Sequence, residues 1–120
     1  MEVVVDRDSV SMGDDCDPHA VRCTVPGEAN LATLLGASLR ACPLASIAGG
    51  RATWFAEVGP RRHVVAVVAQ QWSEPRWVVD SRTPASALLG TEPRVMFRYW
   101  CQADPEAVHA ALRREAEGWA

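Results

Sequence analysis

The chain has 120 residues, 48% of them apolar and 22% charged, with a formal net charge of −3. That length supports one ordinary domain spanning residues 1–120, with a core that needs no disulfide or metal to hold it, and it excludes two such domains. The longest nearly unbroken apolar run, Val64 to Ala69, is far short of the roughly 20 residues a membrane-spanning helix needs. Met1-Glu2 puts an acid where a secretory signal carries bases, so a cytoplasmic protein without a membrane segment is expected. All twelve basic residues are Arg, and Asn30 and Ile47 are the only residues of their kinds, the coding bias of a GC-rich, bacterial type of genome.

Glu2 to Val10 (EVVVDRDSV) is valine-rich and then alternates with charge, and Ala20 to Val25 (AVRCTV) alternates throughout, so both read as strands. The stretch between them holds Gly13, three aspartates and Pro18, the composition of a chain reversal, which predicts a hairpin. Leu31, Leu34, Leu35 and Leu39 then recur at helical spacing, with Asn30 as N-cap and Cys42-Pro43 as the stop. Gly36 inside that helix costs about 1 kcal/mol against Ala.

From Arg51 the period changes to two, which predicts a strand to Val58, and Gly59-Pro60-Arg61-Arg62 turns the chain. His63 to Trp72 (HVVAVVAQQW) is apolar at both parities, the pattern of a central strand covered on both faces. Ser73-Glu74-Pro75 turns into a third strand, Arg76 to Asp80, completing an antiparallel meander. Thr83 to Gly90 predicts a short helix with Thr83 as cap and Pro84 at its first position. Arg94 to Gln102 alternates as a further strand. From Asp104-Pro105 a last helix places Val108, Ala111, Leu112, Ala116 and Trp119 on one stripe.

The expected order is β-β-α-β-β-β-(short α)-β-α, an α+β layout with a mostly antiparallel sheet and helices packed on one face. A strand from the first residue, an acidic turn and then AVRCTVPGEANLATLLGASL resemble the hairpin-then-helix opening of ubiquitin-like β-grasp domains, over about forty residues. That resemblance implies a leucine-striped helix crossing the sheet. Members that act as modifiers or sulfur carriers end in Gly-Gly. This chain ends Glu117-Gly118-Trp119-Ala120, so that chemistry is not implied.

Cys16, Cys23, Cys42 and Cys101 match neither a redox pair nor a zinc-site spacing. The one local cluster, Cys16-x2-His19-x3-Cys23, lacks a fourth ligand nearby in sequence, so reduced thiols and no metal or cofactor are expected. His63 and His109 sit in no catalytic motif. Residues 1–20 carry six acids against Arg7, a net of −5. Residues 51–100 carry seven Arg against four acids, a net of +3. Without Lys or a clustered cationic face, a nucleic-acid role is not expected.

Two features point outward. Asp14, Asp15 and Asp17 repel one another unless a cationic partner offsets them. Trp72, Glu74, Arg76 and Trp77 bracket a tight turn with residue types that dominate binding hot spots. The set is similar in type to small acidic bacterial immunity proteins and antitoxins, which implies a non-catalytic partner that occludes a cognate toxin. Asp14, Asp15 and Asp17 would steer toward its cationic cleft, and Trp72, Glu74, Arg76 and Trp77 would contact it. Two alternatives stand beside this reading. One is a small-ligand or enzymatic domain with a pocket between the sheet and the last helix, near Tyr99, Trp100 and His109. The other is a subunit of a homo-oligomer with an exposed sheet edge; as a free protein the chain is expected to be monomer or homodimer.

Overall fold

The elements follow in the anticipated order. The computed structural model describes residues 1–10, 18–45 and 49–118. It comprises β1 (Glu2–Arg7), β2 (Val21–Thr24), α1 (Leu31–Ala41), β3 (Thr53–Val58), β4 (His63–Ala69), β5 (Arg76–Trp77), α2 (Ala85–Leu89), β6 (Arg94–Tyr99) and α3 (Pro105–Gly118). The strands form one six-stranded mixed sheet in the order β2-β1-β6-β3-β4-β5. Only β1 and β6 run parallel; every other pairing is antiparallel. The first and last strands thus lie side by side inside the sheet of an α+β fold.

Strand alternation divides the core into two layers. Ala56 pairs with Phe97 and with Ala66, and Val58 and Val5 both pair with Val95, which puts these side chains on one face. They pack with Leu31, Leu34 and Leu35 of α1 and Ala85 and Leu89 of α2. Phe55 pairs with Val67 on the opposite face. There Val67 packs with Val78 and with Val108 and Leu112 of α3. The expectation that the helices share one face therefore holds for α1 and α2 only. Beta-4 explains the division: its apolar residues at both parities require cover on both sides. This strand ends at Ala69 and lies beside the edge rather than at the centre, with a register shift opposite Ala56/Glu57.

Local chemistry positions the helices. The Asn30 side chain accepts from the Thr33 N–H at 2.9 Å, closing the first turn of α1 as expected. Ser38 is buried in that helix because its hydroxyl donates to the Leu34 carbonyl at 2.7 Å. In α2 the expected cap moves by one residue: Pro84 is the N-cap and no side chain caps the helix. Its start is held by the backbone, with the Ala85 N–H donating to the Ala29 carbonyl and the Leu31 N–H to the Thr83 carbonyl, each at 2.9 Å. Buried Thr53 donates to the Ala103 carbonyl at 2.7 Å and ties β3 to the segment entering α3. Among the described residues no helix is long and apolar enough to cross a membrane.

Candidate functional site

The helix α3 packs on the second face of the sheet against β4, and on the same face β1 and β6 carry half-buried Val4, Asp6, Met96 and Arg98 and exposed Arg94. Charged residues cluster at that parity: Asp6 pairs with Met96, Glu57 also pairs with Met96, and Arg94 and Arg98 flank it along β6. Arg98 is the centre of the arrangement. Its Nε donates to Glu57 Oε1 at 2.9 Å and its Nη1 to Asp8 Oδ1 at 3.2 Å, while Asp8 Oδ2 accepts the Tyr99 N–H at 3.0 Å. Three neighbouring strands are clamped by one guanidinium. The hydrogen bond to the Glu57 carboxylate favours the charged guanidinium and raises Arg98 above the ordinary arginine value, against the opposing effect of burial. Beside the clamp, Arg94 lies 3.6 Å from Asp6. A cleft of about 250 Å³ opens there, lined by Glu57, Arg62, Glu92, Arg94, Met96 and Arg98 among others. At the other end of β6, Trp100 is 44% exposed and meets Phe55 edge-on with centroids 5.4 Å apart.

The clamp yields a stability test. Arg98→Gln leaves two partly buried carboxylates without their cation, and an expected loss of about 1–2 kcal/mol follows. Urea unfolding monitored by circular dichroism measures it; an unchanged midpoint would show that the clamp is solvated rather than structural.

The sequence-derived binding residues distribute differently from their spacing. Asp14, Asp15 and Asp17 lie outside the described residues, as does Cys16. Trp72 and Arg76 do meet: the guanidinium sits 4.1 Å from the indole centroid, a cation–π contact. Arg76 also pairs with Glu106 of α3 at 3.4 Å, so this unit is folded back on the protein. Trp72 is half-buried against the α3 layer, whereas half-buried Trp77 packs against the α1 layer. The sheet therefore separates the two indoles. Glu74 is exposed and joins Trp77 and Pro75 in a groove beside Ala32, Leu35, Gly36 and Leu39.

Other chemical candidates are tied into the structure. His109 Nε2 lies 2.9 Å from the Trp77 carbonyl oxygen, and the space between sheet and α3 is filled by Val67, Val78, Val108 and Leu112. His19 Nε2 is 2.9 Å from Ser9 Oγ, and the Cys42 thiol lies 3.6 Å from the His19 carbonyl oxygen. Burial pushes the Cys23 and Cys42 thiols up, away from the reactive thiolate. Among the described residues no group of three or more His, Cys, Asp or Glu side chains could hold a metal ion. The clamp itself escaped sequence reasoning, because Arg98 lies 41 and 90 positions from its two carboxylates. The available signal was parity: Asp6, Glu57, Arg94 and Arg98 all fall on outward positions of strands whose inward residues are apolar. Comparisons with protein-family models, curated proteins and solved structures find nothing that matches this chain.

Proposed function

We propose that this chain is a cytoplasmic, non-catalytic protein-binding domain of the bacterial immunity-protein or antitoxin type, which occludes its target with the charged face of β1 and β6. The supporting observation is the ion-paired face of β1, β6 and β3, where charges of both signs are held in fixed pairs along the strand that leads to exposed Trp100. Pre-formed pairs reduce the ordering cost of association, and alternating sign selects a partner of complementary pattern. Trp100 supplies the large rigid contact that such interfaces concentrate at their centre. The acidic segment holding Asp14, Asp15 and Asp17 steers a cationic partner into place, an effect that weakens with salt.

The test is co-purification with the product of the adjacent reading frame, followed by calorimetry. A tight complex is expected, weakened at least about tenfold by Arg94→Glu combined with Trp100→Ala, equivalent to about 1.4 kcal/mol. Asp14→Ala with Asp15→Ala is expected to slow association mainly at low salt. Absence of a complex, or a complex indifferent to the Arg94 and Trp100 changes, overturns the proposal, as does unaided turnover of a substrate by the purified chain.

A further inference from the structure

The two edges of the sheet are treated differently. At the β5 edge α3 side chains reach the backbone carbonyls, with His109 Nε2 at 2.9 Å from the Trp77 oxygen and Arg113 Nη1 donating to the Val78 oxygen at 3.2 Å. A two-residue strand capped in this way offers no template for pairing. The β2 edge is longer. Val25 exchanges hydrogen bonds with Met1, so Val25, Cys23 and Val21 turn their backbone groups toward β1. By alternation, Arg22 and Thr24 point their N–H and C=O groups away from the sheet, and among the described residues nothing bonds to them.

We infer that β2 pairs antiparallel with β2 of a second copy, joining two six-stranded sheets across a two-fold axis at Cys23. The strand itself selects that occupant. In the register centred on Cys23, Arg22 faces Thr24 of the second copy, and these are the residues with outward backbone groups, giving four inter-chain hydrogen bonds. Cys23 faces Cys23 and Val21 faces Val25 on the α1 side, apolar beside apolar. Polar residues meet only polar ones. Centring on Arg22 instead would set two guanidiniums opposite each other, and a shift by one residue would mix the faces. The pairing is isologous and closes, so it yields dimers rather than filaments.

Cys23 then occupies a non-hydrogen-bonded antiparallel pair, where Cα atoms approach to about 4.5 Å, close enough for a disulfide. Light scattering on the full chain is expected to give twice the 13.0 kDa chain mass. Oxidised dithiothreitol is expected to cross-link the dimer through Cys23. Each new S–S bond passes two electrons and two protons to the reagent, which leaves as the dithiol, and peptide mapping identifies the linked cysteines. Thr24→Lys separates dimerisation from folding: within one copy the new ammonium faces Glu2, but across the seam it faces Arg22. Unfolding midpoints at low protein concentration should stay at or above wild type while dimer affinity falls at least tenfold. Thr24→Pro removes an outward donor and is expected to give monomers as well. A wild-type chain that remains monomeric, a dimer indifferent to both Thr24 changes, or a cross-link that maps to Cys101 overturns the inference.

Discussion

Gly59→Ala is expected to lower stability by about 3–4 kcal/mol, the sum of a left-handed backbone cost and an overpacking cost. Gly59 has φ +78, and a Cβ added there would stand 1.9 Å from the Leu88 carbonyl oxygen and 3.0 Å from its carbon. Both atoms belong to the backbone of α2, so no rotamer change relieves the overlap. The same residue donates its N–H to the Arg94 carbonyl at 2.9 Å, which places the β3–β4 turn, the end of α2 and the start of β6 around one missing side chain. Displacing any of them also disturbs the cleft beside Arg94. Gly50→Ala is the internal comparison: its φ is +67 but nothing lies within 4 Å of the added Cβ, so only the backbone cost of about 1–2 kcal/mol is expected. Urea denaturation at constant m-value measures both changes. Equal effects at the two positions would show that the contact with Leu88 relaxes freely.

Much of this arrangement is legible before any coordinates are considered, and the boundary between legible and hidden has a physical basis. The period-two segments, the leucine spacing of α1, the Asn30 cap and the hairpins depend on neighbours within a few residues, and all of them appear. The double-parity run of β4 correctly demanded two covered faces. Combined with the stripe on α3, it already implied a helix on each side, which the one-face expectation overlooked. Pairings between distant strands are hidden, because the parallel match of β1 with β6 depends on register across most of the chain. The Arg98 clamp inherits that dependence. Trp72 and Trp77 show the reverse error. Closeness in sequence suggested one joint anchor, but odd spacing across a turn and a short strand sends them to opposite faces.

The four described tryptophans, Trp54, Trp72, Trp77 and Trp100, therefore divide by role, and two of them give opposing predictions. Trp54 is 1% exposed, sits in the α1 layer and tilts against Tyr99 with centroids 4.9 Å apart. Trp54→Ala removes the largest fully buried side chain from a layer whose neighbours are held by strand pairing and by α1. Incomplete collapse of the cavity makes an expected loss of about 3–5 kcal/mol, enough to unfold much of a marginally stable domain at 37 °C. Trp100→Ala removes a comparable ring from the surface and is expected to cost less than about 1 kcal/mol, chiefly its edge contact with Phe55. Partner affinity should show the opposite ranking when each variant is measured under conditions where it remains folded: Trp100→Ala weakens binding directly, and Trp54→Ala does so only through the folded fraction. Paired unfolding curves and binding isotherms separate these outcomes. If Trp100→Ala costs as much stability as Trp54→Ala, the ring belongs to the core and the proposed binding face loses its anchor.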